Sequence, residues 1–340
     1  MSFAKSILFC SALLAFMADA SAVTIDTVLV GNPGNANDPF TGSLYGGVAS
    51  AYNIGKYDVT VGQYTAFLNA VAATDTYALY NTSMATDLNV AGIARSGASG
   101  SYSYSVIGSA NHSVTYVSWG DAARFANWLQ NSQPTGSQGP GTTETGAYTL
   151  SGATSNAALN AVTRNADATI FIPSESEWYK AAYYSPTLNS GAGGYYQYPF
   201  SSNTVPTSAM PSGTPNTGNF YDSTTGYAVT HSTSYSTFQN YLTDVGAYTA
   251  SASPYGLFDM GVFQWNETLI SVSSRGVRGG SWGGISSYLA VSSRYSDLPS
   301  DGLNTVGFRV ATVVPEPSTL ALAAFGFTAL AAWGWRRRKR

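Results

Sequence analysis

The stretch that decides the fold lies near the C-terminus of the 340-residue chain, between Val277 and Ala311. It consists of Val277-Arg278-Gly279-Gly280-Ser281-Trp282-Gly283-Gly284, then Ser293-Arg294-Tyr295, then Val306-Gly307-Phe308-Arg309-Val310-Ala311. Glycine is used where a backbone turns at positive φ or is approached closely, so the two Gly-Gly pairs around one tryptophan predict tight turns. The closing Gly-Phe-Arg-Val-Ala pattern predicts a short, half-buried strand. Taken alone, the stretch also fits an ordinary β-hairpin core.

Three segments further upstream predict helix starts, because each places a polar side chain three residues after a capping hydroxyl. They are Thr60 to Gln63, Ser118 to Asp121 and Ser174 to Glu177. Apolar residues follow each start at helical spacing, and the simplest interpretation of these stripes is core packing. Strand-like pieces at Thr27–Val30 and Ala51–Ile54, bounded by Gly, Asn and Pro turns, precede the first helix.

The order of these motifs resembles the formylglycine-generating-enzyme, or sulfatase-modifying-factor, family. The family's R-G-G-S-W, spaced arginine and G-F-R correspond to Arg278, Gly279, Gly280, Ser281, Trp282, Arg294, Gly307, Phe308 and Arg309. Its V-S-W-x-D-A and L-P-T-E-A-E-W helices correspond to segments that contain Trp119, Asp121, Glu177 and Trp178. The run Tyr255–Met260 is similar to its Y-G-L-Y-D-M, and Lys56–Thr60 with Tyr64 is similar to its opening segment. The chain is therefore identified as a member of the family over residues 23–312.

The resemblance implies an α+β, C-type-lectin-like fold of the sulfatase-modifying-factor type. Such a fold is irregular and loop-rich, with antiparallel strands and a few helices. Something must hold its long loops in place. We expect buried aromatic side chains, side-chain hydrogen bonds or a bound cation to do so, because the mature chain offers no disulfide.

The N-terminus has the pattern of a secretory signal over residues 1–22. Lys5 supplies the positive charge, Ile7–Met17 the apolar run, and Ala20-Ser21-Ala22 the small-residue cleavage site. The only cysteine of the chain, Cys10, lies inside the apolar run. Cleavage after Ala22 would leave a mature protein without a thiolate nucleophile or a cysteine metal ligand.

Residues 313–340 resemble the PEP-CTERM sorting signal. Pro315, Glu316 and Pro317 precede an apolar run, Leu320–Trp335, and a basic end, Arg336–Arg340. The resemblance implies transient insertion of a C-terminal helix into the inner membrane of a Gram-negative bacterium. It also implies recognition by exosortase and the secretion machinery, removal of the tail, and release to the cell surface or extracellular matrix. A plain single-pass anchor is the simpler alternative, although the run is slightly short of the ~20 residues that span a bilayer.

The resemblance also identifies chemistry that this chain lacks. The family's enzymes bind copper through two cysteines between R-G-G-S-W and G-F-R, whereas Gly283–Ser293 contains none. Soft thiolates select Cu(I), so no copper is expected. Other relatives use iron held by three histidines, but this chain has only His112 and His231. Two histidines and a carboxylate remain numerically sufficient for iron, yet no spacing pairs them, and no iron is expected.

Calcium is the one cofactor that the resemblance leaves open. It prefers carbonyl, amide and carboxylate oxygens. The segment around Asn219 and Phe220 resembles one calcium site of the family, and a structural Ca²⁺ on Asn219, the Phe220 carbonyl and Asp244 is the prediction. An ordinary Asn/Asp turn is the alternative. At the family's second site Gln264 stands in place of the usual glutamate, so that site is interpreted as damaged.

Composition and loops favour a binding role. The net charge of −3 and the 10% of charged residues give no indication of nucleic-acid binding. Aromatic and amide side chains in the loops, with Trp265 and Trp282 in the motifs, suit a surface that binds sugar or protein. We therefore expect a non-catalytic binding or structural module, with exopolysaccharide or a surface protein as partner. The alternative is an oxidoreductase of the same family that uses an unidentified site.

Overall fold

The structure is a computed structural model, and it describes residues 22–314. The predicted signal peptide up to residue 21, Cys10, the sorting residues Pro315, Glu316 and Pro317, and the apolar run that follows lie outside the described residues. Within residues 22–314, none of the helices combines the length and the apolar character needed to cross a bilayer.

The regular elements are short and are separated by long loops. The helices are α1 (Val61–Val71), α2 (Ser83–Thr86), α3 (Trp119–Gln130), α4 (Asn156–Ala161) and α5 (Glu175–Tyr183). The strands are β1 (Thr27–Val30), β2 (Tyr52–Gly55), β3 (Ile93–Ser96), β4 (Ser103–Val106), β5 (Ile170–Phe171), β6 (Tyr184–Ser185), β7 (Gly194–Tyr195), β8 (Thr207–Ser208), β9 (Thr217–Gly218), β10 (Tyr221–Asp222), β11 (Gly226–Tyr227), β12 (Phe263–Leu269), β13 (Arg275–Arg278), β14 (Tyr295–Asp297), β15 (Val306–Gly307) and β16 (Ala311–Val313). This is a mixed α+β architecture, as expected.

Two four-stranded sheets organise the described chain. The first has the order β1-β2-β16-β5, and all its pairs are antiparallel. The second has the order β14-β13-β12-β15, in which only β12 and β15 run parallel. The closing stretch therefore contributes strands to both sheets and connects them. The last strand, β16, ends at Val313, one residue beyond the expected domain boundary at 312.

The three predicted helix starts are confirmed. Thr60, Ser118 and Ser174 each accept a hydrogen bond from the backbone N–H three residues later. In return the side chains of Gln63, Asp121 and Glu177 accept one from the backbone N–H of the capping residue. These reciprocal bonds satisfy donors that a helix start otherwise leaves free, and so they fix where α1, α3 and α5 begin.

An aromatic cluster joins two of these helices to the closing stretch. Phe67 of α1 meets Phe125 of α3 with ring centroids 5.3 Å apart, and Phe125 meets Phe308 at the same distance of 5.3 Å. Tyr64 and Trp128 complete the group, and all five side chains are buried. Edge-to-face packing of this kind adds to the stabilisation from burial alone. The helical stripes are therefore core, as predicted.

The prediction of one half-buried strand at Gly307–Ala311 was wrong. The strand β15 ends at Gly307 and β16 begins at Ala311, and the residues between them belong to no strand. All five residues are buried. The physical reason is that the chain passes here from the second sheet to the first, while the Arg309 guanidinium reaches into the interior.

Gly279 shows why the Gly-Gly pairs are needed. Its φ is +104°, and a Cβ at this position would lie 2.1 Å from the carbonyl oxygen of Val262. Gly283 is exposed, and a Cβ added there would have nothing within 4 Å. Only the first of these two glycines is therefore required by the backbone.

We predict that Gly279→Ala lowers the free energy of unfolding by at least about 2 kcal/mol, because it combines a disfavoured φ with a backbone clash. Gly283→Ala is the matched control and should change it by less than about 0.5 kcal/mol. Urea unfolding of the two variants measures the difference. Equal effects would contradict the assigned backbone geometry.

Candidate functional site

A small cleft opens beside the signature tryptophan. Its lining includes Phe200, Phe220, Leu289, Trp282 and Asp259. The cavity volume is ≈ 50 Å³, which is room for about four water-sized groups. The other lining residues are uncharged, so Asp259 is the only charged side chain among the described residues that line the cleft.

One wall of the cleft continues into a stack of aromatic rings. Trp282 lies over Tyr241 with centroids 4.8 Å apart and planes 3° from parallel. Tyr227 packs against both rings. Tyr235 continues the stack outwards, with 52% of its surface exposed and its hydroxyl bonded to Asn89. The stack provides a rigid aromatic surface that reaches from the cleft to solvent.

Beneath the cleft lies a buried arginine. The Arg309 guanidinium donates to Asp58 Oδ1 at 2.8 Å, to Gln264 Oε1 at 2.6 Å, and to the carbonyl oxygens of Gly55 and Phe258 at 2.6 and 2.8 Å. Burial raises the pKa of Asp58, and the positive charge of Arg309 opposes that rise. These bonds join three parts of the chain, residues 55–58, residues 258–264 and Arg309 itself, around one charge.

Asp259 is held next to this arginine in an unusual backbone conformation. Its φ is 61°, which is rare for a residue other than glycine. The Gly246 N–H donates to both of its carboxylate oxygens, at 3.1 and 3.0 Å. Burial raises the pKa of Asp259 to about 6, while the Gly246 N–H and Arg309 oppose the rise. Sequence reasoning named Asp259 only as part of a motif, and its position at the cleft could not be read from that motif.

Gln264 links the same cluster to α5. Its Oε1 accepts from Trp178 Nε1 at 2.6 Å as well as from Arg309, and its Nε2 donates to the Asp259 carbonyl at 2.9 Å. The side chain is fully buried. A neutral amide thus occupies the position where the family usually carries a glutamate, and it adds no negative charge beneath the cleft.

The other signature arginines share one carboxylate. Glu175 accepts from Arg278 at 2.6 and 2.9 Å and from Arg294 at 2.8 and 2.7 Å. The Tyr45 ring lies over both guanidinium groups, at 4.8 and 4.9 Å. The sequence analysis identified both arginines but did not identify Glu175 as their partner. The only indication of Glu175 in the sequence was a second glutamate in the Ser-Glu-Ser-Glu helix start.

The remaining signature residues mostly build the fold. Trp119 is buried beneath the Arg275 guanidinium, whose carbon lies 3.5 Å from the ring centroid. Glu177 both caps α5 and pairs with Arg164 at 2.8 Å. Of the R-G-G-S-W motif, Ser281 and Trp282 line the cleft. A Cβ on Gly280 would lie 2.5 Å from Leu289, and one on Gly307 would lie 2.8 Å from the Val114 carbonyl oxygen.

The predicted calcium ligands have separate protein partners. The Asn219 amide donates to the Tyr241 carbonyl at 2.7 Å, and the Phe220 carbonyl accepts from Ser208 at 2.5 Å. Asp244 accepts from Ser109 at 2.5 Å. Asn219 and Phe220 line the cleft, whereas the half-exposed side chain of Asp244 does not. The calcium site stays a prediction, and no chemistry is derived from it.

The two histidines lie in different settings. His112 is mostly buried, and its Nε2 is 3.7 Å from Asp244 Oδ1. Burial lowers the pKa of His112. His231 is exposed, in a turn with φ of 51°. Within residues 22–314, no three or more His, Cys, Asp or Glu side chains form a group that could hold a metal ion.

The two tryptophans expected at a binding surface separate in the structure. Trp265 is fully buried, and its Nε1 donates to the Val117 carbonyl at 2.8 Å. It is therefore a core residue, and its assignment to a binding surface was wrong. Its place on β12, an inner strand of the second sheet, explains its burial. Trp282 alone lines the cleft.

We predict that Arg309→Met lowers the free energy of unfolding by about 3–5 kcal/mol, because it leaves Asp58 buried without its partner. The control is Arg95→Met, since Asp75, which pairs with Arg95 at 3.4 Å, keeps its hydrogen bonds from the Leu79 and Tyr80 N–H groups and from Gln138. That change should lower the free energy of unfolding by only about 1 kcal/mol, the typical contribution of one hydrogen bond. Chemical unfolding measures both, and a similarly small loss for the two variants would show that the buried pair contributes little.

Asp259 should make stability depend on pH. Its pKa of about 6 in the fold exceeds the unfolded value of ~3.9, so the folded protein binds the extra proton between these values. The stability that this proton brings is complete below about pH 4 and is lost as the pH rises through 6. Between pH 4 and pH 7 the free energy of unfolding of Asp259→Asn should therefore rise, relative to that of the wild type, by on the order of 2 kcal/mol. Unfolding series at the two pH values test this, and a constant difference would contradict it.

Comparison with known proteins agrees with the motifs. The profile described as the sulfatase-modifying factor enzyme 1-like domain matches residues 46–314, and the PEP-CTERM protein-sorting motif matches residues 313–339. A search of curated proteins found no match. Similar solved structures include variable protein 1 of Treponema denticola (16% identity, 87% of this chain and 97% of that chain, TM-score 0.49). Another is CarF, with 18% identity over 86% of this chain and 99% of that chain and a TM-score of 0.47. A third is PvdO from Pseudomonas aeruginosa, with 17% identity over 86% of this chain and 93% of that chain and a TM-score of 0.42. Because the profile covers most of the chain, this protein belongs to the sulfatase-modifying-factor family and carries a PEP-CTERM sorting motif.

Proposed function

We propose that this protein is a non-catalytic binding module that holds a ligand at the cell surface or in the extracellular matrix of a Gram-negative bacterium. Its sorting motif implies export, processing by exosortase and display at the surface. The observation that carries the proposal is the cleft at Trp282, which is present in a family domain whose residues 22–314 contain no cysteine.

The segment that carries thiols in the family's enzymes supplies an apolar wall in this chain. Residues 283–293 form a turn followed by a short 3₁₀ helix, Ser286–Leu289. Leu289 is buried against Phe200 and Phe220 and lines the cleft. A wall of this kind offers packing surface and no soft ligand for Cu(I). It supports recognition in place of thiol oxidation.

The lining supports a ligand with both apolar and polar groups. Aromatic faces at Trp282 and Tyr235 offer rigid contact area, and Asn219 and Ser281 offer hydrogen-bonding groups. Such combinations suit protein and sugar ligands alike. An exopolysaccharide or a surface protein is therefore the proposed partner class, and Ca²⁺ at Asn219, Phe220 and Asp244 remains a proposed structural addition.

We predict that full-length protein, purified in detergent, binds isolated surface proteins or exopolysaccharide of the producing cells saturably. Trp282→Ala should weaken that binding at least about tenfold, because an aromatic wall of the cleft is lost. The control is Phe40→Ala, since Phe40 is 64% exposed and lies outside the cleft. Binding is measured by calorimetry, and folding of both variants by circular dichroism.

The alternative oxidoreductase has its own signature in the same experiment. Oxygen consumption with added copper or iron that disappears in His112→Ala would replace the binding module by an enzyme that uses this buried histidine. Failure of every surface fraction to bind, with the fold intact, would reject the proposed binding role.

A further inference from the structure

We propose that the cleft receives a lysine side chain from a protein partner, and that the Asp259 carboxylate binds its ammonium group. This inference rests on the proposed binding function and specifies its ligand. It follows from the missing ion-pair partner of Asp259, the free bonding positions of its carboxylate and the apolar lining of the cleft.

Asp259 has no ion-pair partner among the described residues. The nearby cation, Arg309, is fully buried and pairs with Asp58 at 2.8 Å. Gln264 is neutral and contributes no charge. Asp259 lines the cleft and is partly exposed, so a cation that enters the cleft would supply the missing ion-pair partner.

The bonding of Asp259 favours a compact cation. Among the described residues, only the Gly246 N–H donates to its carboxylate, and that N–H sits between the two oxygens. A guanidinium that binds a carboxylate with two parallel hydrogen bonds would need this same side of the Asp259 carboxylate. The lone pairs on the outer side of each oxygen remain free, and an ammonium group can bind either of them through a single N–H. The geometry therefore selects lysine over arginine.

The walls fit the aliphatic part of lysine. Phe200, Phe220, Leu289 and Trp282 present apolar surface on the way to Asp259. The ≈ 50 Å³ of the cavity is room for a chain of a few atoms. Lysine places a four-carbon stem along apolar surface while its charged head reaches a polar partner. The stem and the head thus match the apolar lining and the carboxylate of the cleft.

The backbone at Asp259 is held for this purpose. Its left-handed φ of 61° is disfavoured for an aspartate, and such strain persists where surrounding bonds over-determine the conformation. Those bonds are present, because Gln264 Nε2 donates to the Asp259 carbonyl at 2.9 Å and Gly246 holds the side chain. The carboxylate is thereby fixed in the cleft before any ligand arrives.

The test uses Nα-acetyl-lysine N-methylamide as the probe, with the norleucine, arginine and methyl glucosaminide analogues as comparisons. Full-length protein in detergent at pH 7.5 is titrated with each compound and followed by calorimetry and tryptophan fluorescence. We expect the lysine analogue to bind at least about tenfold more tightly than the norleucine analogue, which lacks the ammonium group. A preference for the arginine or glucosamine analogue, or none at all, would overturn the assignment.

Asp259→Asn provides the matched variant, since it keeps the shape of the side chain and removes its charge. It should abolish the preference for lysine over norleucine. Asp167→Asn, which removes an exposed carboxylate outside the cleft, should preserve it. If Asp259→Asn fails to fold, carboxyl NMR of the wild-type protein answers the same question. The lysine analogue should then lower the apparent pKa of Asp259 by at least about one unit, and an unchanged value would refute the proposal.

The two proposals fail differently. A surface ligand whose binding requires Trp282 but is indifferent to Asp259→Asn would overturn the lysine assignment and leave the binding module intact. Absence of any ligand for the folded protein would remove both.

Discussion

The structure depends on the burial of the Arg309 guanidinium. A buried charge destabilises a fold unless every donor is satisfied, and here Asp58, Gln264 and backbone carbonyls satisfy it. The partners come from residues 55–58, near the start of the domain, and from residues 258–264, more than 190 positions later. A chain whose strands are mostly two to four residues long, and whose described part has no cysteine, thereby acquires a central connection that local secondary structure cannot provide.

The same principle explains why the family signature is present although residues 22–314 contain no cysteine. Arg278 and Arg294 converge on Glu175, and Asp121 and Glu177 hold helix starts. Removing any of these would leave a buried charge or a free backbone donor. The constraints are therefore imposed by folding and act whether or not a thiol is present. This is why membership of the family, which the motifs establish, does not establish an activity.

Sequence reasoning succeeded where the determining interactions are local. The capping boxes at Thr60, Ser118 and Ser174, the helical stripes and the first two strands follow from residues a few positions apart. It failed where distant segments meet. The burial of Trp265 and the pairing of Glu175 with Arg278 depend on contacts between residues more than a hundred positions apart. The break in the Gly307–Ala311 strand depends on the passage of the chain from one sheet to the other.

Asp259 lines the cleft and has no ion-pair partner among the described residues. Elsewhere Arg124 pairs with Glu144, and Arg164 with Glu177 and Glu267, at 2.6–2.8 Å. At Asp259 an ionised carboxylate lowers stability at neutral pH, because its folded-state pKa is about 6. A ligand cation would regain that free energy on binding, since it would stabilise the ionised form. The carboxylate that weakens the fold at neutral pH thus becomes part of the affinity for a positively charged partner.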